Sequence, residues 1–208
     1  SNGALSLKEC IELINIRCKE MDRTIKINPG TMIAVIDNNL NNVRDICNNI
    51  DDVIIANYNS TNQFVLSGSI KGVKLAAEIL KENNISKVFP LNVSGAFHSH
   101  LMNDASHTLN KAINSVNFND VEIPIYQNVN ASPTKRGEKM KQNLTLQLTS
   151  SVLWYQTIIN MINNGITKFI EVGPGNILTK LIKRIDNNIE VESLNTLEDL
   201  EKHGFKLN

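Results

Sequence analysis

Apolar residues recur at helical spacing near the start of the chain, at Leu7, Cys10, Ile11, Leu13, Ile14, Cys18 and Met21. Ser6 before them and Glu9 three residues on make a capping-box pattern, so a helix is predicted over 5–21. Pro29 and Gly30 interrupt it, and the texture then becomes β-rich. Runs at 32–36, 53–58 and 64–66 read as strands, with Ser60-Thr61-Asn62 as a hairpin turn between the last two. Amphipathic helices are predicted at 40–50 and 73–81, and another strand at 87–93. The order β-α-β-β-α-β over about 60 residues is that of a ferredoxin-like unit.

Beyond Val93 strands and helices alternate. A helix carrying Leu101, Ala105, Leu109 and Ile113 is followed by a strand at 123–126 and helices at 144–148 and 152–162. A strand at 168–172 then ends in Gly173-Pro174-Gly175 before a helix at 177–185. Such alternation predicts an α/β fold with a mostly parallel sheet covered by helices. Only three strands are evident in this part, and parallel strands are normally buried by neighbours on both sides. The sequence therefore reads as the later part of a larger α/β protein.

Composition narrows the function. The 208 residues carry 21 basic and 21 acidic side chains, so there is no global attraction to nucleic acid or to an anionic membrane surface. No apolar run approaches the roughly 20 residues of a membrane span. Three cysteines, Cys10, Cys18 and Cys47, have no metal-type spacing and no closed disulfide framework, which fits a reducing compartment and no metal site. Asn makes up about one residue in seven and Lys outnumbers Arg, a bias that AT-rich codons explain.

The segment Gly95-Ala96-Phe97-His98-Ser99 carries the most chemistry. A strand runs into a glycine turn and a histidine at the mouth of a helix, the place where α/β sheets present reactive groups. Arg17 falls near the apolar stripe of the first helix, so part of it is expected to be buried and in need of a partner. His98, His100 and His107 lack the acidic or Cys partners of a zinc set.

Seven stretches together resemble the malonyl-CoA:acyl carrier protein transacylase family. They are Gly3 to Leu7, Ile16-Arg17, Asn57 to Ser60 with Gln63, Gly95 to Ser99, Gln127 to Ala131, Gln147 to Ser150 with Trp154, and Glu171 to Gly175. The resemblance implies an α/β-hydrolase-like large subdomain, incomplete here, with a ferredoxin-like subdomain inserted in it. On that reading 1–29 and 93–190 belong to the large subdomain, 30–92 to the small one and 191–208 to a C-terminal tail. It further implies malonyl transfer from coenzyme A to a serine and on to the phosphopantetheine thiol of acyl carrier protein, with malonyl-CoA as substrate and no cofactor.

His98 matches the family's general base and Gln147 the residue whose backbone carbonyl orients it. Arg17 matches the arginine that grips the malonyl carboxylate, Phe97 the ring that disfavours a branched acyl group, and Asn59 and Asn128 match positions lining the cleft. Lys87, Lys183 and Arg184 fall where the family carries basic residues for coenzyme A and the carrier protein. Three residues depart from the pattern: His100 and Ser151 replace frequent prolines and Leu153 a frequent arginine. The nucleophile's G-x-S-x-G elbow is absent from the 208 residues. It is expected in an N-terminal part of the same protein; the alternative is a non-catalytic or degenerate module that binds coenzyme A or acyl carrier protein. The compartments implied are bacterial cytoplasm, or a plastid-type organelle (apicoplast) or mitochondrion in a eukaryote.

Overall fold

The computed structural model describes residues 2–204. Contacts divide the chain into two units, Ser1–Thr157 and Ile158–Asn208. The first opens with helix α1 (Leu7–Ile27), six residues longer than predicted at its C-terminal end. Ser6 caps it: its hydroxyl accepts from the Glu9 backbone N–H at 3.2 Å while the Glu9 carboxylate accepts from the Ser6 N–H at 2.8 Å.

Strands β1 (Gly30–Ile36), β2 (Val53–Tyr58), β3 (Gln63–Ser69) and β4 (Val88–Pro90) form one sheet in the order β2-β3-β1-β4. Every neighbouring pair in it is antiparallel. Helices α2 (Leu40–Asn48) and α3 (Ile70–Glu82) are the two crossovers, which reproduces the predicted order of elements. Their apolar faces close on one side of the sheet, with Val35, Val43, Ile46, Phe64, Leu66, Val73 and Leu80 in a single buried cluster. Strand β2 carries a bulge at Ala56, where the register with β3 skips from Ile55 to Asn57.

A second core joins α1 to helix α4 (Asn103–Ser115), through Leu13 on the first and Ala105, Leu109 and Ile113 on the second. Leu148, just past helix α5 (Gly137–Gln147), completes it. The strand predicted at 123–126 shrinks to β5 (Ile125–Tyr126), paired antiparallel with β6 (Pro133–Thr134). Among the described residues it joins no parallel sheet, and Pro124 just before it and Pro133 in its partner lack the N–H groups that would extend the ladder.

Helix α6 (Trp154–Asn163) starts two residues later than predicted, because Val152 is drawn into a parallel bridge with Asn57. In the second unit β7 (Lys168–Val172) pairs in parallel with β8 (Glu190–Leu194), with helix α7 (Ile177–Ile185) between them in sequence. Strand β8 and helix α8 (Leu197–Lys202) lie where the apolar pattern gave no element. The Glu171 carboxylate accepts the backbone N–H groups of Leu178 and Thr179 at 3.1 and 2.8 Å, capping α7. Burial works against its charge, but these bonds prevail and hold its pKa below the usual carboxylate value. The mixture of a four-stranded antiparallel sheet, a parallel pair and covering helices is α/β.

Candidate functional site

The chain leaves β4 and turns through 91–99 toward α4. Gly95 lets it run against α1, since a Cβ at that position would lie 2.5 Å from the Ile25 side chain. The Ser67 hydroxyl on β3 donates to the Phe97 carbonyl at 2.7 Å, and the buried Ser99 hydroxyl donates to the Ala96 carbonyl at 2.7 Å. The Phe97 ring packs against both the α1–α4 core and a small cluster of Met32, Ala56 and Val65. His98 is thus held on both sides in sequence, and its φ of 57° is left-handed, a conformation that costs energy in a residue with a Cβ.

The ring of His98 is partly buried and its Nδ1 lies 3.0 Å from the backbone carbonyl of Gln147, the last residue of α5. Terminal helix carbonyls lack an intrahelical partner, so this one is available. A carbonyl only accepts, which fixes the neutral ring as the Nδ1–H tautomer and leaves a lone pair on Nε2. Burial lowers the pKa of the ring below its ordinary value. The Gln147 carbonyl opposes that shift, the Arg17 charge adds to it, and the backbone of Ser150 opposes it. At neutral pH the ring is therefore an unprotonated base.

Arg17 on α1 is close enough for its charge to be felt at His98, and it is half-buried. It has no carboxylate or hydrogen-bond partner among the described residues. A guanidinium in that state presents its donor fork to whatever occupies the space beside it. The structure therefore brings together His98, Gln147, Arg17 and Phe97.

The other residues singled out in the sequence are placed less tightly. Asn59 and Asn128 are both half-buried. The first closes the β2–β3 turn through its N–H to the Gln63 carbonyl at 2.9 Å. The Asn128 carbonyl accepts from the Leu153 N–H at 2.9 Å. Lys87 is exposed beside the far end of β1, where its carbonyl accepts from the Ile36 N–H at 3.0 Å. Four residues separate Ile36 from Met32 beside Phe97, about 13 Å along a strand. In the second unit Lys183 donates to the carbonyls of Asn187 and Ile189 at 3.0 and 2.7 Å, closing the C-terminal end of α7 next to Arg184.

His100, one of the departures from the family pattern, has its Nε2 2.8 Å from the Asp52 carboxylate, beside the start of β2. Residue patterns gave no hint of the supporting hydroxyls of Ser67 and Ser99, whose partners are backbone atoms distant in sequence or hidden in a turn.

Comparison with known proteins follows this geometry. The malonyl CoA-acyl carrier protein transacylase of Bacillus subtilis is 32% identical over 203 residues, which cover 96% of this chain and 64% of that protein. The acyl-carrier-protein S-malonyltransferase of Bartonella henselae superposes with a TM-score of 0.90 at 31% identity, over 97% of this chain and 65% of that one. A malonyl-transacylase solved in complex with its type II polyketide-synthase acyl-carrier protein superposes at 0.90 with 27% identity, over 97% and 66%. The chain thus spans about two thirds of the length of these relatives. The acyl transferase domain profile matches residues 1–202, and the chain, with its histidine seated on a helix-terminal carbonyl beside an unpaired arginine, belongs to the acyl transferase domain family.

Proposed function

We propose that the protein carrying this chain transfers a malonyl group from malonyl-CoA to the phosphopantetheine thiol of acyl carrier protein in fatty-acid synthesis, through a serine ester. One observation carries the reading: His98 keeps a free Nε2 lone pair while Arg17, unpaired by any carboxylate among the described residues, lies near enough for its charge to act on the ring. That pairing of a base and a carboxylate-gripping fork suits an acyl group with a free acid at its far end.

In this reading Nε2 takes the serine proton as the oxygen attacks the thioester carbonyl, and the proton leaves with the coenzyme A thiol. The carrier thiol then gives its proton to Nε2 as its sulfur attacks the ester, and the serine regains a proton as it departs. Phe97 narrows the space beside the acyl α-carbon. The serine is assigned to a segment outside these 208 residues, where G-x-S-x-G is absent. The thioester supplies the driving force, so no cofactor is required. The same reading takes 30–92 as a ferredoxin-like insert in an α/β-hydrolase-like subdomain. The relative solved with its acyl-carrier protein supports the carrier as partner.

The test is malonyl transfer by the protein at its natural length. His98→Ala is expected to lower kcat about 10²- to 10⁴-fold, the usual worth of a general base. Arg17→Ala is expected to lose malonyl transfer while admitting uncharged acyl groups; unchanged malonyl selectivity would sink the assignment of Arg17.

A further inference from the structure

The acceptor of the His98 ring is not rigid by itself. Gln147 ends α5, and the segment after it runs irregularly to α6. That segment is held at its start by Leu148, buried in the α1–α4 core, and further along by a set of bonds to the edge of the small sheet. The Ser151 hydroxyl donates to the Ile55 carbonyl at 2.7 Å. The Val152 N–H donates to the Ala56 carbonyl at 2.7 Å, and the Tyr58 N–H to the Val152 carbonyl at 3.0 Å. Ala56 is the bulged residue of β2, so the bulge re-aims its carbonyl outward to the strap instead of into the ladder. Of these bonds, Ser151 alone contributes a side chain. It also stands immediately after Ser150, whose backbone supports the protonated His98 ring.

We propose that Ser151 is a positioning residue: its hydroxyl on the Ile55 carbonyl pins the 147–152 strap to β2, and so keeps the Gln147 carbonyl on His98 Nδ1. The sheet that carries no reacting group thereby sets the tautomer of the base. Without the pin the strap retains Leu148 in its core, its two backbone bonds to β2 and the Leu153 N–H bond to the Asn128 carbonyl, but the 3.0 Å contact that selects Nδ1–H loosens. A free neutral imidazole in water favours the other tautomer, so release of the ring has a definite direction. The catalytic consequence rests on the function proposed above, whereas the tautomer does not.

The experiment is nitrogen-15 NMR of the histidine rings in the full-length protein without substrate, with His98→Gln to assign the signal. Wild type is expected to show protonated Nδ1 and unprotonated Nε2 above the ring's pKa. Ser151→Ala should move the populations toward Nε2–H, and Ser151→Thr should restore them. If Ser151→Ala does not fold, the near-isosteric pair Ser151→Thr and Ser151→Val decides, with Thr holding the wild-type tautomer and Val losing it. Ser69→Ala, which removes the cap of α3 at a distance, controls for general loosening and should leave the signal in place. An unmoved tautomer in Ser151→Ala, or identical spectra for Thr and Val, overturns the proposal. In malonyl transfer Ser151→Ala should lower kcat about tenfold with KM unchanged. A shifted tautomer in a protein that transfers no malonyl would leave the positioning role intact and reject the reaction.

Discussion

The small antiparallel sheet and the β7–β8 pair solve the same burial problem with unequal success. In the sheet, two crossover helices close over one face, and Val35, Phe64, Leu66 and Leu80 are essentially inaccessible. In the parallel pair, Ile170 remains 45% exposed and Val172 68% exposed, and Ile177 on α7 is 72% exposed. The apolar content of the two regions is similar; their topology is not. An antiparallel βαββαβ unit brings its own covering helices, whereas parallel strands depend on further strands and helices on both sides. Strand composition alone says that a segment wants burial, and connectivity decides whether that is met locally.

Substitutions can break this contrast. Leu66→Ala, in the closed core, is expected to destabilise the first unit by about 2–5 kcal/mol in urea unfolding. Cys47 reports the same event: burial pushes its thiol up to about 12, so it should resist alkylation until that core opens, while the exposed Cys18 reacts at once. Equal labelling rates for the two would contradict a closed core. Next in size is Gly68→Ala on β3, where a new Cβ would lie 1.9 Å from the Asp52 carbonyl oxygen. The clash is with backbone, so a loss of about 1–3 kcal/mol is expected.

The His98 loop leans through Phe97 on the α1–α4 core and on the cluster of Met32, Ala56 and Val65, so its titration should be felt in stability. Its folded pKa is depressed, so the unfolded chain binds the proton more readily. The contribution is complete above the ordinary histidine value near 6.5 and is lost as pH falls below it. Replacing His98 with Gln should flatten that acid-side fall in the pH dependence of unfolding, and a parallel curve would refute the depressed pKa. The smallest effect is expected in the open region: Val172→Thr should change stability by no more than about 0.5 kcal/mol, because little burial is lost. A large loss there would mean that the face is covered in solution.

Helix α1 and the elements of the small sheet were legible because each has a strong local signature. The Ser6–Glu9 capping box, the 3.6-residue stripes of α2 and α3, and the turn after Tyr58 all agree with the tertiary result. The expected parallel sheet was not reproduced as a continuous layer. The segment at 123–126 is a two-residue pairing confined by prolines, and β8 alternates charged residues with half-buried ones too weakly to announce a strand. The stripe on α1 also divides in two. Leu13, Ile16, Met21 and Ile25 face α4, while Leu7, Ile11 and Ile14 are exposed, a split invisible in spacing alone.

For the site, the strand, glycine turn and histidine at 93–98 pointed to His98, and the family resemblance singled out Arg17, Gln147 and Phe97 beside it. The left-handed φ of His98 and the choice of Nδ1 over Nε2 came from elsewhere. So did the lowered pKa, the absence of a protein carboxylate for Arg17 among the described residues, and the pinning of the Gln147 strap to β2. These depend on which side chains and backbone carbonyls meet across long stretches of sequence, the Ser67 hydroxyl with the Phe97 carbonyl and the Ser151 hydroxyl with the Ile55 carbonyl among them. Local propensity and side-chain chemistry are written residue by residue, so the sequence determined most of the helices, the small sheet and which residue types stand at the candidate site. Tautomer, charge state and orientation are set by neighbours distant in the chain, and only the folded structure decided them.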